Sequence, residues 1–192
     1  MAVIQMRVPD WLDRICAWPM MWYRRRKYGY DFRRIDLGEG EFTIVEPGDY
    51  YRLANFKWYL RGNGIKFYAI CNIKTGYRKT KMVCMHREIM NAPEGLFVDH
   101  KNCDSLDNRR DNLRLATRVQ NACNRQWDKS RASSKYRGIA LIKRSGRWSA
   151  QISHEGERIW LGTFDNETAA ARVYDEAAKK YHGEFARLNF PD

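Results

Sequence analysis

The chain has 192 residues, room for one domain or two small ones, and 44% of them are hydrophobic and 14% aromatic, which excludes wholesale disorder. A formal net charge of +12 points to a polyanionic partner, nucleic acid first among them. No apolar run approaches 18 residues, so neither a membrane span nor a membrane partner is expected.

Residues 1–40 read as a basic N-terminal arm of uncertain order. Its apolar stretches precede its positive cluster, which is not a secretory pattern. Within it, RRRKYGYDFRR (24–34) sets six positive charges against one negative. Such a run is most often a solvated face or a flexible tail, and less often a DNA contact. From Glu41 the pattern becomes globular. EFTIV reads as a strand, Pro47-Gly48-Asp49 as a break, and DYYRLANF as a short helix. KWYL and IKFYAICNI read as strands joined across Arg61-Gly62-Asn63-Gly64, where Asn-Gly signals a hairpin. TKMVCMHREIM predicts a strand entering a short helix, halted at Asn91-Ala92-Pro93.

The next window, LFVDHKNCDSLDNRRDNLRLATRVQNACNRQ (96–126), predicts strand, polar loop, strand and helix. Thr117 and Gln120 form a T-x-x-Q capping box, so the helix starts there and is expected to run to about Trp127. DKSRASSK (128–135) reads as a linker. Three strands follow, YRGIALIKR, WSAQIS and RIWLGTF, with turns at Ser145-Gly146 and HEGE. Asp165 or Asn166 then caps a helix, ETAAARVYDEAAKKY, which Gly183 ends. Ala170, Val173, Tyr174, Ala177 and Tyr181 fall at helical spacing and form its core stripe.

The five cysteines are odd in number and lack C-x-x-C spacing. They read as reduced packing thiols of a cytosolic protein with no zinc site. Cys103 and Cys123 flank the central window as bystanders, and His86 reads as structural.

Phosphodiester hydrolysis needs a base for water and a cation for the charge that develops on phosphate. In the central window, His100 can accept a proton near neutral pH. Asp99 and the amide of Asn121 offer oxygen donors for a hard ion, Mg²⁺ or Mn²⁺. In a strand the two neighbours Asp99 and His100 point to opposite faces, so one can hold metal while the other reaches water. The same letters also suit a tight Asx-bonded loop, and spacing alone leaves both readings open.

VDHKNCDSLDNRRDNLRLATRVQNACNR resembles the HNH nuclease family, in the subset found in phage and intron homing endonucleases. That subset runs Asp-His, then DNRxxNLRLAT, then Asn-x-x-Asn. The resemblance implies Asp99 and Asn121 as ligands of one Mg²⁺ or Mn²⁺ ion and His100 as general base. It implies that Asn112 holds the loop and orients His100. Many HNH enzymes end this motif in His, whereas Asn121 and Asn124 stand here. The flanking Arg109, Arg110, Arg114 and Arg118 are candidates for phosphate. The lead-in from EFTIVEPGDYYRLANFKWYL through MHREIM is similar to that of these nucleases.

In the C-terminal module, alternation puts Trp148, Ala150 and Ile152 on one face and Ser149, Gln151 and Ser153 on the other. Ile159 and Leu161 face inward, Arg158 and Trp160 outward. Between Lys135 and Phe164 there are six Lys or Arg against two Glu. An outward face of this composition suits DNA, or is an ordinary solvated surface. YRGI, RSGRWSAQI, RIWLGTF, AAARVYDEAA and GEFARLNF resemble the Apetala/ethylene-response-factor DNA-binding domain, in which a three-stranded sheet lies in the major groove. By position Arg137, Arg147, Arg158 and Trp160 are implied to touch DNA, together with Lys143 and Arg144 at the first turn and Gln151. Gln151 and Ser153 stand where the plant proteins have Glu and Arg, which argues against the plant GC-rich element.

The expected fold is α+β: a ββα-metal HNH nuclease unit with a small mixed lead-in (41–127), a linker (128–134), and a three-stranded antiparallel sheet packed on one helix (135–192). The expected function is a metal-dependent homing-type endonuclease that nicks double-stranded DNA as a monomer, in the cytoplasm of a bacterium or phage-infected host cell. The rival is a non-catalytic DNA-binding transcriptional regulator built on the same C-terminal domain. An RNA-directed protein is disfavoured, since no RNP-type aromatic platform is present.

Overall fold

A computed structural model describes residues 10–62, 64, 66–125, 127 and 132–191. Asn63 of the expected hairpin turn and residues 128–131 of the expected linker lie outside the described residues. The fold is mixed α+β with several small antiparallel sheets. It divides into two compact units, Met1–Pro93 with Asp104–Arg114, and Glu94–Cys103 with Leu115–Asp192.

The first unit opens with helix α1 (Asp10–Tyr28), within the stretch that reads from sequence as a basic arm of uncertain order. Its pattern is hard to read because Pro19 lies inside it and several large apolar side chains face solvent. α1 is held by Asp13, which accepts from Arg33 at 2.7 Å and from the Tyr51 hydroxyl at 3.0 Å. Strands β1 (Arg33–Gly38) and β2 (Glu41–Val45) then pair antiparallel, and β1 alternates buried and exposed as a one-sided strand should. Helix α2 (Pro47–Leu53) starts with proline at its first position, where no amide donor is needed. Strands β3 (Tyr59–Gly62), β4 (Phe67–Gly76) and β5 (Lys79–Cys84) form an antiparallel sheet in that order. Helix α3 (Met85–Met90) follows and ends on Asn91 in the left-handed region, φ 45°. Val45, Leu53, Trp58, Ile70, Met85 and Ile89 make the core. Full burial of a Leu, Ile or Met side chain there contributes about 1.5–3 kcal/mol.

The second unit contains β6 (Phe97–His100) and the end of β7 (Leu113–Ala116), which pair as a two-stranded sheet. Helix α4 (Arg118–Cys123) follows, with the Thr117–Gln120 capping box formed in both directions. α4 stops at Cys123 instead of continuing to Trp127. Its C-cap, Asn124, turns its side chain inward and gives its carbonyl to the Cys103 thiol at 3.1 Å.

Strands β8 (Ile139–Ile142), β9 (Arg147–His154) and β10 (Glu157–Phe164) form an antiparallel sheet with β9 central. Helix α5 (Glu167–His182) covers one face, capped by the Asn166 side chain, which accepts from the Thr168 and Ala169 amides. Ile139, Ala150 and Ile152 pack on Ala170, Ala171, Tyr174, Ala177 and Ala178. The alanines let helix and sheet approach closely, and the buried stripe is wider than its sequence period implied. Buried Asp175 accepts from the Asn189 and Phe190 amides and ties down the C-terminal segment.

Gly138 enters β8 at φ +75°, with the Tyr174 ring and the Gln151 carbonyl against the position a Cβ would take. Gly138→Ala is expected to cost about 3 kcal/mol from backbone strain and overpacking together. A chemical-denaturation midpoint equal to wild type would refute that account of the β8 entry.

Candidate nuclease site and DNA interface

Asp99 and His100 are adjacent at the end of β6, and both are buried, at 5% and 7% exposure. The residue that grips them is Asn124. Its side-chain nitrogen lies 3.0 and 3.1 Å from the two Asp99 carboxylate oxygens and 2.8 Å from the His100 carbonyl. Asn124 is itself buried. One amide thus fixes both the carboxylate and the backbone of the residue beside it. Asn121 lies one turn earlier on α4 and is half-buried. The sequence signal for Asn124 was the second Asn of the Asn-x-x-Asn pair, but nothing in that spacing says which amide meets Asp99.

Cys103, read from sequence as taking no part in the chemistry, has a structural place in the turn. It takes φ +64° in the turn after β6, and its amide donates to the His100 carbonyl at 2.9 Å. Its sulfur lies 3.1 Å from the Asn124 carbonyl and 2.9 Å from the Arg187 guanidinium. The turn that follows Asp99-His100 is therefore tied to the C-terminal segment. Burial pushes the Cys123 thiol up, and Arg137 only partly offsets it.

Asn112 belongs to the first unit. Its amide donates to the Asp107 carbonyl at 2.8 Å and closes the polar loop on itself. That loop is stitched to β2: Thr43 donates to the Leu106 carbonyl, and Asn108 donates to Thr43. Two arginines assigned to DNA from the sequence are committed within this frame. Arg109 makes a fork to Asp107 at 2.7 and 2.8 Å and lies 3.4 Å over the Tyr30 ring, its side chain 12% exposed. Arg110 makes a second fork to Asp49, at 2.7 and 2.8 Å. Burial alone would push the Asp49 carboxyl up, but Arg110 and Arg52 outweigh it and hold it below the ordinary carboxylate range. Arg114 is half-buried and Arg118 is exposed at the start of α4. His86, on α3, packs on the Tyr68 ring at 5.4 Å.

On the sheet of the second unit, Lys143, Arg144, Arg147 and Arg158 are exposed, and Trp160 is 59% exposed. Arg147 is steadied by Asp165 at 2.7 Å. Gln151 is half-buried, and its backbone N–H donates to the Gly138 carbonyl. Arg137 is half-buried and donates to the Arg125 carbonyl at 2.7 Å, so its guanidinium is partly spent inside the protein. Trp148, Ala150, Ile152, Ile159 and Leu161 face the helix or its margin, as period-2 alternation predicts.

The arrangement joins a buried carboxylate–imidazole pair to a separate basic sheet face, as expected of a protein that acts on DNA. Comparison with known proteins agrees. Residues 91–123 match the HNH endonuclease family model, and residues 134–184 match the AP2 domain model. An uncharacterized HNH endonuclease of Acanthamoeba polyphaga mimivirus is 30% identical over 164 residues, covering 82% of this chain and 80% of that protein. An AP2/ERF and B3 domain-containing protein of Oryza sativa subsp. japonica is 52% identical over 59 residues. An AP2-like ethylene-responsive transcription factor of Arabidopsis thaliana is 48% identical over 58 residues. Those plant matches cover 31% and 30% of this chain but only 16% and 12% of the plant proteins, so they speak for the AP2 domain alone. The chain belongs to the HNH endonuclease family and carries an AP2 DNA-binding domain.

Proposed function

We propose that this protein is a divalent-metal-dependent endonuclease of homing type that nicks one strand of duplex DNA, working as a monomer with one ion in a ββα-metal unit. The observation that supports this reading best is the buried Asp99-His100 pair held by Asn124 at the end of β6. Asp99 and Asn121 would hold Mg²⁺ or Mn²⁺. Their carboxylate and amide oxygens fit a hard ion, while the neighbouring Cys103 sulfur is engaged with Arg187 and Asn124. The ion, when bound, would offset negative charge building on the phosphate and its leaving oxygen.

His100 takes the proton from the attacking water, whose oxygen bonds to phosphorus as the P–O bond to the leaving oxygen breaks. Asn112 holds the preceding loop closed and, in this reading, helps to orient His100. Asn124 restrains Asp99, so the carboxylate need not be ordered on each turnover. Residues 41–127 would act as the nuclease and residues 135–192 as the reader. In the reader, Lys143, Arg144, Arg147 and Arg158 meet phosphates or base edges, and Trp160 packs on sugar in the major groove. Arg114 and Arg118 remain the motif's candidates for phosphate. Arg109 and Arg110 are read as frame residues, and Arg137 as partly structural.

The expected result is conversion of supercoiled plasmid to open circle with Mg²⁺ or Mn²⁺ at low salt, and none with chelator. The AP2 match to plant transcription factors favours a second reading, a regulator that binds without cutting. Retarded but uncut DNA across a genomic-fragment library, with either metal, would decide for that second reading.

A further inference from the structure

The basic run at residues 24–34 is not absorbed by either DNA-acting module, and the structure sorts its six cations into two groups. Arg24 and Arg33 are interior. Arg24 donates to the Phe32 carbonyl at 2.6 Å, and Arg33 pairs with Asp13 and lies 3.9 Å over the Tyr50 ring. The other four face outward. Arg25 has a side chain 74% exposed, with only a 3.8 Å approach to Asp31. Arg26 lies 5.6 Å over Trp22, Lys27 5.7 and 5.2 Å over Tyr23 and Tyr28, and Arg34 4.1 Å over Phe42. Those rings are themselves exposed.

The helix that carries most of them is inverted for a surface helix. Asp13, Ala17 and Arg24 mark its inner face. The opposite face, at 100° per residue, holds Ile15, Trp18 and Trp22, exposed at 63%, 65% and 55%. An apolar stripe of this kind on the solvent side marks an interaction surface.

We propose that the outer face of α1, with Arg34 on the adjoining strand β1, is a third DNA-contacting element, binding the sugar–phosphate backbone of duplex outside the two modules already described. Arg26, Lys27 and Arg34 lie over exposed rings, so one partner must satisfy both cation and ring. That partner must be anionic and offer flat apolar surface between its charges, which the sugar–phosphate backbone does. A second copy of the chain is a poor occupant, since it carries the same net charge of +12 and offers the outward cations no excess of anionic groups. A lipid surface is also a poor fit. An interfacial helix carries its cations along a separate polar face, whereas here they cluster in the last turn, lie over exposed rings and extend onto a strand.

The test is fluorescence anisotropy of a labelled duplex with the full chain in chelator, over a salt series. Arg26→Gln/Lys27→Gln/Arg34→Gln should lower the slope of log affinity against log salt by about 2–3, at about 0.9 for each phosphate no longer neutralised. Trp18→Ala/Trp22→Ala should weaken binding by about three- to tenfold with the slope unchanged, because apolar contact with sugar is lost while no phosphate loses its cation. All five positions are at the surface, so thermal melting should match wild type. Affinities within twofold of wild type and an unchanged slope in both variants overturn the proposal. So does loss of binding to phosphatidylserine vesicles, or of a dimer in sedimentation, while DNA affinity stays unchanged. The first of these assigns the face to lipid and the second to self-association.

Discussion

His100→Ala is expected to abolish nicking, with a fall of about 10³-fold in rate, while the Kd for duplex DNA stays within about twofold. A positioned general base contributes roughly 10²–10⁴-fold, and His100 is the buried histidine that follows Asp99 at the end of β6. The backbone of His100 is held independently of its ring, because its carbonyl accepts from the Asn124 amide and from the Cys103 amide. Removing the ring should therefore leave the turn and the DNA-binding sheet in place. Partial rescue of nicking by millimolar imidazole is a second readout. Single-turnover nicking and anisotropy on the same variant check both parts. Equal loss of cleavage and binding would remove His100 from the base role and make it structural.

Asn124→Ala should have the next largest effect, a fall in nicking of about 10–100-fold, the range seen when a partner that orients a metal ligand is removed. Its amide spans both Asp99 oxygens and the His100 carbonyl, so its loss frees the carboxylate and leaves buried acceptors short of a donor. The latter should cost about 1–3 kcal/mol of stability. A merely structural residue would lower stability without changing the metal dependence. The discriminating measurement is therefore the Mg²⁺ or Mn²⁺ concentration for half-maximal nicking, which should rise severalfold in protein that still binds DNA. Asn124→Asp should be worse than Asn124→Ala, since it places a second carboxylate about 3 Å from the first. A variant with wild-type metal titration and reduced melting temperature would restrict Asn124 to holding α4.

Much of the fold is legible in the sequence where the signals are local. The β9–β10 hairpin, the Asn166 cap and the Thr117–Gln120 box each depend on residues within a few positions of one another. Period-2 alternation likewise puts Ala150 and Ile152 under α5 and leaves Trp160 outside. α1 was not legible, because its exposed Ile15, Trp18 and Trp22 and its buried Arg24 reverse the pattern that normally identifies a surface helix.

The sequence by itself determined the chemistry on offer: an Asp-His pair, amides at set spacing, and a basic sheet module beyond a polar stretch. Only the tertiary structure decided who partners whom. Arg110 meets Asp49 across 61 positions, Asn124 meets Asp99 across 25, and Arg187 meets Cys103 across 84. Such pairings leave no periodic trace, because a side-chain hydrogen bond depends on where the folded backbone puts two groups and not on their separation along the chain.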